Sequence, residues 1–176
     1  MAQNPWLVSI TTLKRSPGVR RQEQRSGRVG ELAVAGSVVP ADAVVLADAT
    51  LDSVHGGIEV TADLTAPWRG ECRRCLDPLS GELHTRVREL YRPHDRDKTE
   101  EDEETYPLSG EVLDLQPLVR DALLLELPLA PLCSDACRGL CPTCGADLNA
   151  GTCDCATAPA DPRWAALDAL KERPSK

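Results

Sequence analysis

Cysteines dominate the chemistry that this sequence could perform, because the chain has eight of them and most stand in closely spaced pairs. The segment CRGLCPTCGADLNAGTCDC, which runs from Cys137 to Cys155, contains five of the eight. Thiolates at such spacings suit a metal ion, a redox switch or a disulfide clamp. In the reducing compartment that we expect for this chain, metal ligands and redox thiols are favoured over structural disulfides.

Four of these cysteines have the spacing of a zinc site with four thiolate ligands. Cys141-Pro-Thr-Cys144-Gly has the form of a zinc-knuckle turn, in which the proline and the glycine help the chain bend until two sulfurs converge. A Cys-Asp-Cys pair follows after eight residues, and the segment between them offers Asn and Gly for a chain reversal. The pattern predicts zinc bound by Cys141, Cys144, Cys153 and Cys155. Redox thiols and inert cysteines are the alternatives.

The remaining four cysteines are enough for a second zinc site. They are Cys72, Cys75, Cys133 and Cys137. A zinc ion held by them would join the connection between two predicted strands to the end of a predicted helix. Such a link would support a core with no phenylalanine and only 3% aromatic residues. The number of zinc ions, one or two, stays open, and the two sites could divide the ligands differently.

A reactive dithiol is the alternative for the Cys72-x-x-Cys75 pair. The adjacent Arg73 and Arg74 would lower thiol pKa values there, which favours redox chemistry and metal binding alike. The same two arginines could instead contact phosphate.

No other arrangement typical of catalysis is present in the sequence. The three histidines have no serine or cysteine partner at a recognisable spacing, and the glycines form no phosphate-binding loop pattern. A four-thiolate zinc site has no open coordination position, so it serves structure rather than catalysis. We therefore expect a binding protein with structural zinc, not an enzyme.

The sequence between about residues 32 and 91 predicts several short antiparallel strands, because apolar residues alternate with polar ones. His55-Gly56-Gly57 has the composition of a hairpin turn, since glycine accepts the positive φ that such turns require. The CxxC pair lies in the connection between two of the predicted strands.

A leucine-rich helix is predicted after the strands. Asp114 is suited to cap its N-terminus, Pro117 falls in its first turn and Pro128 ends it. Its apolar residues recur at helical spacing and predict a face that packs on the sheet. This face consists of Leu115, Leu118, Ala122 and Leu125, and it is widened by Val119, Leu123 and Leu124. A second, short helix is predicted to open at Asp161-Pro162.

The predicted fold class is α+β: a small antiparallel sheet or open barrel, a packed leucine-rich helix and a C-terminal zinc-knuckle segment. We expect three regions along the chain. Residues 1–30 hold an N-terminal strand and a basic arm, and residues 31–132 form the core of sheet and helix with an acidic loop at 95–104. Residues 133–176 hold the cysteine-rich zinc knuckle and the terminal helix.

The net charge of −8 argues against general nucleic-acid binding, because phosphate contacts need Lys and Arg. The charge is nevertheless uneven. Residues 14–28 carry six bases and one acid, whereas residues 95–104 carry seven acids and two bases. We interpret the first segment as a flexible arm and the second as a surface loop. The arginines that could contact RNA or a partner protein are Arg20, Arg21, Arg25, Arg73 and Arg74. A solvated surface loop is the alternative for the arm.

No stretch of the sequence has the pattern of a secretory signal, and none approaches the roughly 18 apolar residues of a membrane span. We therefore expect a cytoplasmic protein without membrane contact.

Four segments, in this order, resemble the YceD family of large ribosomal RNA subunit accumulation proteins. They are WRGECRRCLDPLSGEL, DLQPLVRDALLLELPLAPLC, CRGLCPTCGADLNAGTCDC and DPRWAALDALK. The resemblance extends over about residues 30–172 and is strongest to the cysteine-rich branch of Gram-positive-type bacteria. By position, the CxRC cysteines of the family are Cys72 and Cys75 here. The knuckle cysteines are Cys137, Cys141, Cys144, Cys153 and Cys155.

This resemblance implies a cytoplasmic bacterial protein without enzymatic activity that supports the accumulation of large-subunit ribosomal RNA and the assembly of that subunit. The expected partner is a large-subunit rRNA precursor or a large-subunit ribosomal protein, with no small-molecule substrate. Direct RNA binding, delivery of a ribosomal protein and protection from nucleases all fit. From the residues alone, a zinc-linked thiol redox switch and a zinc-binding protein adaptor unrelated to ribosomes are the alternatives.

Overall fold

The computed structural model describes residues 4–93 and 105–155 and divides the chain into two units, Met1–Cys137 and Arg138–Lys176. Its helices and strands, in chain order, are β1 (Leu7–Ser9), α1 (Thr11–Arg15), β2 (Arg20–Gly27), β3 (Leu32–Ala33), β4 (Ser37–Val39), β5 (Val45–Val54), β6 (Gly57–Glu71), β7 (Pro78–Pro93), β8 (Tyr106–Leu108), β9 (Val112–Asp114) and α2 (Gln116–Glu126). The described residues are therefore mostly antiparallel sheet with little helix.

The division between the units falls after Cys137, five residues beyond the predicted boundary at 132. Cys133 and Cys137 consequently belong to the first unit. The predicted acidic loop at 95–104 and the predicted helix at Asp161-Pro162 lie outside the described residues. Within the described residues, no helix has the length and apolar character needed to cross a membrane.

The main sheet of the first unit is organised around two long strands, β6 and β7. These pair antiparallel from Ile58 opposite Tyr91 to Glu71 opposite Pro78. Strands β5 and β2 extend the sheet on the other side of β6, and β4 and β3 continue it near the end of β6. Strand β8 pairs in parallel with the last residues of β7, while β1 and β9 form a separate two-stranded sheet.

The predicted hairpin at His55-Gly56-Gly57 is confirmed. It joins β5 to β6, and Gly56 has a φ of 81°, which glycine adopts without a steric penalty. The connection between β6 and β7 carries the CxxC pair, as the sequence predicted. The pattern of alternating apolar residues thus identified the central strands correctly.

One face of the sheet is buried and the other is exposed, because burial alternates along β5 and β6. The buried face consists of small and aliphatic side chains such as Leu51, Val60 and Leu64. Trp6 and Tyr91 are also completely buried. The indole N–H of Trp6 donates a hydrogen bond to the carbonyl of Arg28, and the hydroxyl of Tyr91 donates one to the carbonyl of Asp114. The core is therefore mainly aliphatic, as predicted, with two aromatic exceptions.

Helix α2 covers the core, and its N-cap residue is Leu115, one position after the predicted Asp114, which ends strand β9. Asp114 accepts a hydrogen bond from the main-chain N–H of Gln116 at 2.9 Å, and the helix ends at Glu126 before Pro128. The predicted buried position of Leu125 is wrong, because this side chain is 90% exposed. The buried residues of the helix are Leu118, Val119, Ala122 and Leu123. Leu125 lies about a quarter turn from the middle of that face, given roughly 3.6 residues per turn.

The prediction of a flexible basic arm at residues 14–28 is wrong, because residues 20–27 form strand β2. The strand pairs with β5 along its whole length, from Arg20 opposite Asp52 to Gly27 opposite Val45. Main-chain hydrogen bonds to a neighbouring strand do not require apolar side chains, and acidic residues neutralise the arginines. A sheet-edge strand can therefore be as polar as this one.

Candidate metal centres

The turn between β6 and β7 and the chain after α2 bring four cysteines together, which we call the sheet cluster: Cys72, Cys75, Cys133 and Cys137. Their sulfurs all lie within 4.8 Å of one another. The Sγ atoms of Cys72 and Cys137 are 3.8 Å apart, and those of Cys75 and Cys133 are 3.6 Å apart. A disulfide would need about 2.05 Å. A tetrahedral zinc ion with Zn–S bonds of about 2.3 Å separates its sulfurs by about 3.8 Å, so the spacing fits zinc.

Main-chain hydrogen bonds shape the turn that carries the first two of these cysteines. The N–H of Leu76 donates to the carbonyl of Cys72 at 2.9 Å, and the N–H of Cys72 donates to the carbonyl of Asp77 at 2.8 Å. These bonds fold the CxxC segment back on itself, so that the two sulfurs point to the same side. Cys72, Cys75 and Cys137 are buried together against Leu79 and Leu132.

Two contacts attach the chain after α2 to this turn. The N–H of Arg73 donates to the carbonyl of Pro131 at 2.9 Å. The guanidinium of Arg74 donates to the carbonyls of Asp135 and Cys137 at 3.1 and 2.8 Å. The sheet cluster therefore has a hydrogen-bonded frame that joins segments about 60 residues apart in sequence.

Main-chain N–H groups favour a thiolate at Cys72. Those of Cys75, Cys133 and Arg74 lower the pKa of this thiol to about 6, with Cys75 contributing most, although burial opposes them. At Cys75 the N–H of Asp77 lowers the pKa. Burial, the Asp77 carboxylate 3.1 Å from the sulfur and the neighbouring thiols outweigh it, so the pKa is raised overall. One thiol ionises readily, and further ionisation is favoured only when a cation neutralises the charge.

The second unit contains the other group, which we call the knuckle cluster: Cys141, Cys144, Cys153 and Cys155. These four sulfurs also lie within 4.8 Å of one another. The N–H of Gly145 donates to the carbonyl of Cys141 at 2.9 Å, and the N–H of Cys141 donates to the carbonyl of Ala146 at 2.8 Å. This is the same turn as in the sheet cluster, built on the predicted knuckle motif.

The chain reversal between the two pairs of the knuckle cluster is held by polar contacts. The Oδ1 of Asn149 accepts the main-chain N–H of Arg138 at 2.7 Å, and the N–H of Leu148 donates to the carbonyl of Gly139 at 2.9 Å. Leu140 and Asp147 form an isolated antiparallel bridge. Asn149, which the sequence analysis assigned to the reversal, is thus one of the residues that close it.

The titration pattern of the knuckle cluster resembles that of the sheet cluster. The N–H groups of Cys144 and Thr143 lower the pKa of Cys141 to about 6. The hydrogen bond with the Cys144 thiol, together with burial, raises the pKa of Cys155 to about 12. Burial differs between the clusters. In the knuckle cluster Cys144 is exposed and Cys153 and Cys155 are only half-buried, whereas in the sheet cluster Cys133 is exposed and the other three cysteines are buried. The knuckle cluster is therefore the more accessible of the two to solvent.

The structure brings together the same two sets of four cysteines that the spacing predicted. Four convergent thiols with no carboxylate or imidazole among them suit a thiophilic ion such as Zn²⁺. Both groups could therefore hold a metal ion. The sequence predicts that the side chains of Arg73 and Arg74 lower the pKa values of the neighbouring thiols. The structure instead assigns the lowering at Cys72 mainly to main-chain N–H groups.

The five arginines proposed for RNA or partner contact do not form one continuous surface, because they engage different partners. Arg20 forms a bidentate pair with Asp52 on the exposed face of the sheet, whereas Arg21 and Arg25 both pair with Glu23. Arg74 is engaged with the main-chain carbonyls described above. The side chain of Arg73 alone has no hydrogen bond or ion pair within residues 4–93 and 105–155.

Two residues of this site were missed by the sequence reasoning. Asp77, two positions beyond the CxxC pair, contacts the sulfur of Cys75. Leu76 adopts a φ of 64°, a conformation that residues other than glycine rarely adopt. Alignment of the two cysteine turns would have identified Leu76, because Gly145 occupies the matching position with a φ of 74°.

Comparisons with known proteins identify a matching family and several relatives. A family model described as Large ribosomal RNA subunit accumulation protein YceD matches residues 60–171. An uncharacterized protein of Mycobacterium tuberculosis is 35% identical over 176 residues, which cover 93% of this chain and 80% of the relative. A similar protein of Mycobacterium leprae is 34% identical over 152 residues, or 82% of this chain and 68% of the relative.

A plant protein carries the family name explicitly. Large ribosomal RNA subunit accumulation protein YCED homolog 1, chloroplastic, of Arabidopsis thaliana is 34% identical over 73 residues, which are 42% of this chain and 23% of that protein. No solved structure matches this chain significantly.

Proposed function

Because the chain belongs to the YceD family, we propose that it is a non-enzymatic cytoplasmic factor for the accumulation of large-subunit ribosomal RNA, and that it carries two structural zinc ions. The family match over residues 60–171 is the observation that carries the ribosomal role. The resemblance seen in the four ordered motifs is confirmed at the level of the family. The two groups of four cysteines support the zinc ions.

Each zinc ion would have a separate structural task. In the sheet cluster, Cys72 and Cys75 would hold the ion from the β6–β7 turn, and Cys133 and Cys137 would hold it from the chain after α2. In the knuckle cluster, all four thiolates come from the segment between Cys141 and Cys155, so the ion would fold that segment locally. Zinc supplies a closed, tetrahedral link in both places.

We also propose that the protein is not an enzyme. Four thiolates fill the coordination sphere of zinc and leave no position for a substrate or a water molecule. The hydrogen-bonding partners of the cysteines are mostly main-chain groups that fix geometry, as at Cys72 and Cys141. The chemistry of both sites thus favours a scaffold that binds a partner, which is a large-subunit rRNA precursor or a large-subunit ribosomal protein.

Depletion of the protein in its own organism tests the ribosomal role. We expect large-subunit rRNA to fall relative to small-subunit rRNA, and sucrose gradients to show fewer large subunits. Expression of the wild-type chain should restore both, whereas a chain with Cys72→Ser and Cys141→Ser should not. An unchanged rRNA ratio in fully depleted cells would contradict the proposed function.

A zinc-linked thiol redox switch is the second candidate, and one observation favours placing it in the knuckle cluster. Cys144 is exposed there and Cys153 and Cys155 are half-buried, so an oxidant could reach three of the four sulfurs, whereas Cys133 is the one exposed cysteine of the sheet cluster. Peroxide treatment followed by zinc release, with a change in partner binding that a reductant reverses, would support this candidate over a purely structural site.

A further inference from the structure

A cavity of about 890 Å³ opens beside the β6–β7 turn, entirely within the first unit. Three segments form its walls: the β3–β4 connection, the chain from the end of β6 into β7, and the loop after α2. Its apolar lining includes Val34, Val38, Leu76, Leu79, Leu129 and Pro131. Cavities of this size and character are typical binding sites for a ligand or for an anchoring side chain of a partner.

Leu76 stands on the rim of this cavity in a strained conformation. Its φ of 64° brings the β-carbon close to the next carbonyl, which is why glycine usually occupies such positions. The side chain is 59% exposed, so burial within the chain offsets little of that strain. The cysteine turn imposes the positive φ, but a bulky, exposed residue at a position that suits glycine makes Leu76 a candidate for contact with a partner.

The loop after α2 contributes a second exposed leucine to the lining. Leu129 is 69% exposed. Two contacts hold the loop that carries it. Pro131 accepts the N–H of Arg73, and a β-carbon at Gly36 would lie only 2.7 Å from the carbonyl oxygen of Leu129. The two leucines therefore face the solvent from walls that packing and hydrogen bonds hold in place.

The charged residues of the cavity favour an anionic partner. Arg69 and Arg73 both line it, and neither side chain has a hydrogen bond or ion pair in the described part of the chain. On the exposed face of the sheet, by contrast, Arg86 and Arg88 are paired with acidic residues. Glu71 and Cys72 also line the cavity, so the two unpaired guanidinium groups, rather than a net positive charge, provide the contact for an anion.

The residue types indicate a peptide rather than a nucleic-acid base. Among the residues that the structure describes, no aromatic side chain lines the cavity, and single-stranded RNA sites depend on aromatic rings for base stacking. Aliphatic walls next to two guanidinium groups match an aliphatic side chain next to a carboxylate. A protein segment with both features would satisfy the apolar and the charged parts of the cavity together.

We propose that this cavity is a docking site for a segment of another protein, which inserts an aliphatic side chain between Leu76 and Leu129 and places a carboxylate against Arg69 and Arg73. The proposal does not depend on the ribosomal role, because it rests on the cavity, the exposed leucines and the unpaired arginines alone.

Panning a library of short random peptides against the zinc-loaded, full-length protein tests the site. We expect enriched peptides to share an aliphatic residue next to Asp or Glu. Fluorescence anisotropy of a labelled enriched peptide should give binding that is about tenfold weaker with Leu129→Asp or with Arg73→Glu, a loss typical of one anchoring contact. Leu76→Gly should also weaken binding, although it removes backbone strain and leaves the turn intact.

Matched variants on the exposed face of the sheet serve as controls. Leu46→Asp replaces a leucine that is 49% exposed, and Arg86→Glu reverses an exposed arginine, so neither should change peptide binding. Equal losses in the controls, or no selective enrichment at all, would overturn the proposal. Binding of a labelled oligouridylate that depends on Arg69 and Arg73, without peptide binding, would overturn it in favour of RNA.

Discussion

Leu76 and Gly145 occupy the same position in two copies of one cysteine turn. Each follows the second cysteine of a CxxC pair, and each donates its N–H to the carbonyl of the first cysteine at 2.9 Å. Each has a positive φ, 64° and 74°. The same backbone is thus built once with the residue that suits it and once with a leucine that does not.

The variant Leu76→Gly should therefore be slightly more stable than the wild type. Glycine removes the steric cost of the left-handed conformation, which is roughly 1–2 kcal/mol for a residue with a β-carbon. This gain exceeds the roughly 0.5–1 kcal/mol that glycine costs through its larger loss of backbone entropy on folding. Chemical denaturation of the zinc-loaded protein measures the difference. Leu76→Ala removes the same exposed side chain but keeps the strain, so it should show no gain. If the glycine variant were less stable than the alanine variant, the inference that Leu76 is strained would be wrong.

Two zinc ions per chain are expected from the two clusters. Native mass spectrometry of the intact protein should find two ions in the wild type and one in Cys144→Ser. Cys75→Ser should also retain one, and the double variant none, because each substitution removes a ligand from a different set of four sulfurs. One ion in the wild type and none in Cys144→Ser would leave a single knuckle site and return Cys72 and Cys75 to redox or partner contact.

In the metal-free protein, the two low-pKa thiols should make stability rise with pH. The pKa values of Cys72 and Cys141 fall from 9.0 to about 6 on folding, so their thiolates stabilise the folded state above pH 9. That contribution is lost as the pH falls towards 6, because the unfolded state then binds more protons than the folded state. Denaturant unfolding across this range should show the rise.

The control for the pH dependence is the pair Cys72→Ser and Cys141→Ser, which removes both titrating thiols. The slope of unfolding free energy against pH should be smaller in this variant than in wild-type protein stripped of metal. An identical slope would mean that the main-chain N–H groups do not favour a thiolate at these positions.

Much of the fold and of the site could be predicted from local patterns. Strands β5 to β7 alternate apolar and polar residues because one face of the sheet is buried, and helix α2 is marked by Asp114 and Pro128 at its ends. The division of eight cysteines into two groups follows from spacing, since closely spaced pairs converge on one ion whatever the fold around them.

The rest depends on partners that are distant in sequence. Strand β2 is polar on both faces, so no alternation marks it, and only its pairing with β5 makes it a strand. The partner of Arg20 is Asp52, and the guanidinium of Arg74 bonds carbonyls more than 60 residues away. Charge counted along the chain could not distinguish these engaged arginines from the unpaired Arg73.

Arg74 should stabilise the sheet cluster through its two carbonyl contacts. Arg74→Ala is expected to lower the free energy of unfolding of the zinc-loaded protein by about 1 kcal/mol, a value reduced for the exposure of the side chain. Arg73→Ala is the matched control, because it removes a neighbouring guanidinium without such contacts and should have almost no effect. Equal effects of the two variants in thermal or chemical unfolding would show that the carbonyl contacts contribute nothing.

The knuckle cluster should lose its zinc before the sheet cluster does. Three knuckle cysteines, Cys144, Cys153 and Cys155, are exposed or half-buried, whereas in the sheet cluster all but Cys133 are buried. The sheet cluster is also joined to a hydrogen-bonded frame, whereas the knuckle cluster is formed within one short segment. Excess chelator with a zinc-sensitive dye should therefore reveal a fast and a slow phase of equal amplitude. Cys144→Ser should abolish the fast phase and leave the slow one, while Cys75→Ser should do the reverse. A single phase in the wild type, unchanged in rate by either substitution, would mean that burial does not separate the two sites.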